Sequence, residues 1–390
     1  MPESQSHLAA LALSHGAVPY SRPQSPNAPA PTRVGFVGLG SMGYLMAQNL
    51  ANHRAKLHNG SPPLLVWNRS VEKSEKLLNE LGKDKIRIAQ NPEQVAAESD
   101  VIITNLANDA IVKSIYEKFV EELRVRILRP VQPDWELDAL VSSVPHSHLI
   151  TSPVFGTPAV AAKAQLLIVL SGDYRSKKDI AYLLVPAVGR KVFDLGGNIE
   201  KAPTFKLVGN SMILGNLEVL AEAYTLAEKA GISAENVHSL VQGKYFIYCA
   251  LKGTVFADFL IRLSTNDFIS IVAYSDKLVH DKFDGSVGFA IDGGIKDASF
   301  VPFISRKIRF LIHRLSHIRR LTAEYNSPMP AIDVAHQHLL TARALHQSRK
   351  QQGLNVFEIL DWSGIIAGTR VAAGLDGLDI KKHHNIVRED

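Results

Sequence analysis

The stretch "VGFVGLGSMGYLMAQNLA", Val34 to Ala51, carries three glycines at the spacing G-x-G-x-x-G. Arg33 to Gly38 is a short apolar run, and Tyr44 to Ala51 has helical spacing and good helix formers. The glycines therefore stand between a strand and a helix. There Gly38 allows a tight turn, Gly40 lets backbone approach a pyrophosphate, and Gly43 lets the helix pack close to its strand. The helix N-terminus would add free N–H groups and the positive end of its dipole. The spacing predicts a dinucleotide cradle.

Working outward, a second apolar run, "PLLVWNRS", ends at Asn68, Arg69 and Ser70. An acid at this place serves the ribose hydroxyl of NAD, whereas an arginine accommodates the additional phosphate of NADP. Arg69 points to NADP, the alternative being a solvated surface arginine. The separation from the glycines exceeds the usual distance of about 20 residues, and "NHRAKLHNGSPP" reads as the loop that absorbs the excess. Further strands are expected near Ile86 to Ala89 and Val101 to Leu106, with a helix between them starting at Asn91 and Pro92. Alternating strands and helices predict an α/β fold built on a doubly wound parallel sheet.

The longer string Gly38, Leu39, Gly40, Met42, Gly43, Met46, Ala47, Asn49, Leu50 resembles the signature of the β-hydroxyacid dehydrogenase family. That family includes 3-hydroxyisobutyrate dehydrogenase, glyoxylate and succinic semialdehyde reductases, and the cofactor domain of 6-phosphogluconate dehydrogenase. The likeness runs with gaps from about residue 33 to 372. It implies a Rossmann-like domain followed by an all-helical domain, and hydride transfer between a nicotinamide and a small hydroxy or oxo acid or aldehyde. Ser41 and Leu106 join the glycines, Leu39, Met42 and residues 68–70 as expected cofactor contacts.

"FKLVGN" matches the family's catalytic K-x-x-x-N, at Lys206 and Asn210. Four residues apart, the two share one face of a helix. An ammonium can give a proton to the reacting oxygen while an amide orients the lysine or the substrate; the alternative is a surface lysine and a capping asparagine. "GGIKDAS" resembles the family's later Lys-Asp pair, so that Lys296 would contact the cofactor and Asp297 would brace the substrate site. Pro153, Phe155, Gly156 and Thr157 fall where the family has a Ser-Gly-Gly loop for the substrate carboxylate, with Phe155 and Thr157 as replacements. The family's Asp-x-Ser-Thr segment is also missing, its place taken by "RVRILRPVQPDW", and Glu200 and Ala202 stand where glycines usually precede the lysine.

The formal charge of +5 is unevenly placed. Residues 300–316 carry Arg306, Lys307, Arg309 and Arg314 without an acid, residues 243–270 carry one net positive charge, and the remainder is neutral. The two segments also hold seven of the 15 Phe and the one Cys, a shift that marks them as foreign. We read them as translated introns: their composition is what T- and A-rich noncoding DNA encodes, and Gly243-Lys244-Tyr245 can be written GGTAAGTAT, which contains a splice donor. Genuine surface insertions are the alternative. With charge so confined, no nucleic-acid or membrane partner is expected.

These readings predict a tail over 1–31, an NADP-binding domain over 32–198, an all-helical substrate and dimerisation domain over 199–372, and a second tail over 373–390. The first 31 residues, rich in Pro, Ser and Ala, read as disordered. No run approaches the roughly 18 apolar residues of a membrane helix, so a cytoplasmic protein is expected, with a mitochondrial leader the weaker reading because Arg22 alone is basic in the tail; the family resemblance implies a homo-oligomer. No H-E-x-x-H occurs, and no metal is expected. The opposed reading is a non-catalytic NADP-binding relative used for interaction or sensing.

Overall fold

The computed structural model describes residues 17–21, 32–57, 60–106, 109–125, 147–242, 272–286, 288–298, 327–354 and 356–379, with isolated positions besides. Residues 126–135 and the two foreign-looking segments, 243–270 and 300–316, lie outside the described residues. The chain divides into two compact units, the first closing at Lys206 and the second beginning at Leu207.

The first unit opens with β1 (Val34–Val37), α1 (Ser41–Lys56), β2 (Leu64–Trp67), α2 (Val71–Leu81), β3 (Ile86–Ile88), α3 (Pro92–Glu98), β4 (Val101–Thr104) and α4 (Asp109–Val125). The four strands are parallel in the order β3-β2-β1-β4. β1 is buried along its whole length, as a parallel strand covered on both faces must be. The chain winds from β1 to one side and returns to its other side at β4, which makes the carboxyl ends of β1 and β4 a topological switch point. α3 begins where the sequence placed it: Asn91 Oδ1 accepts from the Gln94 N–H at 2.8 Å, and Pro92 occupies the first turn.

α1 differs from expectation at both ends. It starts at Ser41, and it continues through Lys56, so the first part of the expected loop is helical. Arg54 is the reason: its buried guanidinium donates to the carbonyls of Thr32 at 2.8 Å and Pro62 at 3.2 Å, while His53, Arg54 and Lys56 suit the negative end of the helix.

The second half of the unit holds β5 (Ile150–Thr151), β6 (Val154–Phe155), α5 (Pro158–Ala162), β7 (Leu166–Gly172), α6 (Tyr174–Leu184) and β8 (Gly189–Asp194). β8 runs parallel to β7, but β5 and β6 lie antiparallel to it, so this sheet is mixed. Pro153 separates the two short strands because it has no N–H for the ladder; its carbonyl still accepts from the Val169 N–H at 3.0 Å.

Residues 17–21 depart from the expected tail. Val18 and Tyr20 are buried, the Val192 N–H of β8 donates to the Ala17 carbonyl at 2.9 Å, and the Tyr182 hydroxyl donates to the Tyr20 carbonyl. Tyr20 also meets Tyr174 edge to face at 5.7 Å.

The second unit is helical among its described residues: α7 (Lys201–Lys229, which begins in the first unit), α8 (Ala234–Val241), a helical stretch over 272–279, α9 (Ile291–Ala298), α10 (Pro330–Gln351), a 3-10 turn (Trp362–Ile365) and α11 (Ile366–Ala372). Leu207, Leu214, Leu217, Ala221 and Tyr224 give α7 one buried face, packed with Phe283, Leu339, Trp362 and Ile366. Arg370, fully buried, is held by Asp281 at 2.8 Å and Glu228 at 3.1 Å. The fold continues past residue 372: Arg349 grips Asp376 at 2.5 Å.

Candidate active site

The glycine turn sits at the carboxyl end of β1. Gly38 has φ +99, and a Cβ there would stand 2.2 Å from the Asn105 carbonyl oxygen, just beyond β4. A Cβ on Gly43 would stand 2.1 Å from the Gly38 carbonyl, so only glycine lets α1 lie this close to the turn. Gly40 is different: nothing lies within 4 Å of where its Cβ would be. It is the N-cap of α1, no side chain caps the helix, and the first turn holds no acid. Open space before uncapped N–H groups at a positive helix end is what a pyrophosphate requires, so these residues fit a dinucleotide.

Of the other expected cofactor residues, Leu106, Ser41, Met42 and residues 68–70 lie in or next to this turn. Leu106, half-buried after β4, places Cδ2 3.1 Å from the position of a Gly38 Cβ. Ser41 is exposed and Met42 half-buried in the first turn of α1. Asn68 has a structural task that its type alone did not reveal: Oδ1 accepts from the Leu39 N–H at 2.8 Å and Nδ2 donates to the Ser70 carbonyl at 2.9 Å. Arg69 and Ser70 are exposed at the end of β2, Ser70 as the N-cap of α2.

Lys206 lies in α7, and its ammonium stands 4.2 Å from the centroid of the Phe155 ring in β6. The structure thus brings together the expected proton donor and one of the expected substrate residues. Phe155 meets Phe205 edge to face at 6.0 Å, and Phe205 meets Phe193 at 6.2 Å. Gly156 follows with φ +141, and Thr157 is exposed ahead of α5. Asn210 is buried one turn after Lys206 on the same helix. Lys296 and Asp297 fall in the last turn of α9, in the second unit.

Two residues escaped sequence reasoning. Ser171, buried in β7, accepts from the Ala202 N–H at 3.1 Å, satisfying one of the donors left over at the start of α7. Thr151 joins it at 2.8 Å and donates to the Ile199 carbonyl at 2.6 Å. Together they fix the helix start that carries Lys206. The one available signal was a serine closing the apolar run "LLIVLSG".

Residues 33–126 match the model of the NAD binding domain of 6-phosphogluconate dehydrogenase. A probable 3-hydroxyisobutyrate dehydrogenase of Mycobacterium bovis is 26% identical over 220 residues, covering 54% of this chain and 69% of the relative. These matches are to members of the β-hydroxyacid dehydrogenase family, which the chain resembles. Another relative, an NADH-dependent oxidoreductase of Aspergillus ustus, is 27% identical over 210 residues, covering 52% of the chain and 68% of its own length. In fold, the chain is similar to the crystal structure of 3-hydroxyisobutyrate dehydrogenase from Salmonella typhimurium, with a TM-score of 0.57 at 16% identity over 86% of this chain and 99% of that one. This β-hydroxyacid dehydrogenase relative is an oxidoreductase with an NAD(P)-binding unit. No described helix is long and apolar enough to cross a membrane.

Proposed function

We propose that the protein is an NADP-dependent dehydrogenase or reductase that interconverts a small β-hydroxy acid or alcohol with the corresponding oxo acid or aldehyde. The observation that carries this reading is the pairing, within one unit, of an open glycine cradle with an ammonium at Lys206. When bound, NADPH supplies the hydride. Gly40, Ser41, Met42 and Gly43 hold the pyrophosphate through backbone N–H groups, Gly38 and Leu39 shape the turn with their own N–H groups tied to Trp67 and Asn68, and Leu106 closes the apolar side of the turn. Arg69 and Ser70 take the additional phosphate, the guanidinium by charge and paired hydrogen bonds.

Lys206 holds the proton that the carbonyl oxygen takes as negative charge develops on it, and Asn210 steadies the lysine or the substrate from one turn further along. A pure binding module has no need of this pair, which favours the enzymatic reading over a sensing role.

The test is NADPH consumption by the full chain over a panel of small aldehydes and oxo acids. Lys206→Ala should lower kcat by about 10²- to 10⁴-fold, the usual contribution of one acid–base group, with NADPH affinity nearly unchanged. Turnover surviving within a few-fold would remove Lys206 from the reaction.

A further inference from the structure

One side of the Lys206 ammonium is closed by a ring face. Nζ stands 4.2 Å from the Phe155 centroid, Phe155 meets Phe205 at 6.0 Å and 89°, and Phe205 meets Phe193 at 6.2 Å and 40°. Lys191 lies over Phe193 at 4.9 Å. All five residues belong to the first unit, and they form a wall of three rings with an ammonium over the first and another over the last.

Ring faces are negative, so they hold an ammonium and repel a carboxylate. A carboxylate laid on the ring faces themselves would lose water for little return, because Pro153, Val154, Phe155 and Gly156 supply no side-chain hydroxyl, amide or cation and the two ammoniums of the wall are each already seated over a ring. An alkyl or aryl group would instead cover apolar surface that the fold leaves open: Phe205 is exposed, and Phe155 and Phe193 are half-buried.

We propose that Phe155 determines the specificity of this site, admitting carbonyl substrates with an apolar, uncharged substituent beside the ring and turning away those that place a carboxylate there. The proposal rests on Lys206 as proton donor and narrows the substrate class to uncharged aldehydes and ketones. In the reaction, the carbonyl carbon receives the hydride that NADPH supplies and the oxygen takes the Lys206 proton. The C=O π bond is exchanged for a C–H and an O–H bond, and water returns a proton to Lys206.

The experiment compares phenylacetaldehyde with succinic semialdehyde in the full chain and in its Phe155→Ser and Phe155→Tyr variants. Wild type should favour phenylacetaldehyde by about tenfold or more in kcat/KM, the scale on which pockets separate such substrates. Phe155→Ser should erase or invert that ratio, chiefly through KM, and Phe155→Tyr should keep it. A wild-type preference for the semialdehyde, or a ratio that Phe155→Ser leaves unmoved, overturns the proposal.

Binding of unreactive probes separates this failure from failure of the proton-donor reading. In calorimetry on the NADP-loaded protein, phenethyl alcohol should bind more tightly than γ-hydroxybutyrate, and Phe155→Ser should reverse the order. If neither aldehyde consumes NADPH, the proton-donor reading falls and the binding order decides the role of Phe155. Equal binding, or tighter binding of γ-hydroxybutyrate to wild type, overturns it.

Discussion

The backbone N–H of Leu39 donates to Oδ1 of Asn68 over 2.8 Å, tying the glycine turn after β1 to the end of β2. The bond fixes the peptide between Gly38 and Gly40, in the turn that the proposed function sets against the cofactor. Asn68→Ala removes the acceptor and frees the turn. A hydrogen bond of this kind contributes about 0.5–1.5 kcal/mol, so NADP affinity by calorimetry should fall about two- to tenfold, with a small loss of thermal stability. Unchanged affinity would show that the turn holds its shape without Asn68.

Two glycines of the same motif should respond oppositely to alanine. Gly40→Ala puts its methyl into open space and should leave the melting temperature unchanged while weakening NADP binding. Gly43→Ala drives its methyl against the Gly38 carbonyl, 2.1 Å away, and must push α1 off the turn. Both stability and cofactor binding should suffer. Equal melting temperatures for the two variants would contradict this geometry.

Arg69 stands exposed after β2, where the additional phosphate of NADP would be recognised. Arg69→Asp replaces attraction with repulsion and should narrow or invert the preference for NADP over NAD. Titration of both cofactors into wild type and variant provides the check. Equal affinity of the wild type for NAD and NADP would leave Arg69 with no such role.

In the second unit, Glu218 lies against His338 at 2.6 Å. The hydrogen bond to Glu218 raises the imidazole pKa above its ordinary value, against the opposing effect of burial. A raised folded-state pKa means that the pair's stabilisation is full below the ordinary imidazole range, near pH 6.5, and is lost as pH rises through the folded value. Melting temperature should therefore decline over that window in wild type relative to His338→Gln. Parallel pH profiles would show that the pair adds nothing.

The parts of the site legible in the sequence were those set by short-range chemistry. The glycines of β1–α1, the Asn91-Pro92 helix start and the i, i+4 spacing of Lys206 and Asn210 each follow from neighbours in the chain. Contacts across long separations were not legible. The place of Phe155 beside Lys206 depends on how β6 pairs with β7, and the bond from Ala202 to Ser171 depends on where α7 meets that sheet. β5 and β6 have two residues each, too few for a period-2 pattern to reveal their antiparallel course.

Residues 17–21 were hidden for the same reason, being five positions in a segment whose composition suggests a tail. Yet Ala17 takes up the Val192 N–H of β8, one group of a strand edge that would otherwise invite another strand, and Val18 and Tyr20 are seated in the core of the first unit. Cutting the chain at residue 32, where the family likeness begins, would strip this clasp and bare both the strand edge and its greasy seat. A protein shortened to its family boundaries would then be expected to clump through that edge, and poor behaviour of such a fragment would be a fault of the trimming rather than a property of the enzyme.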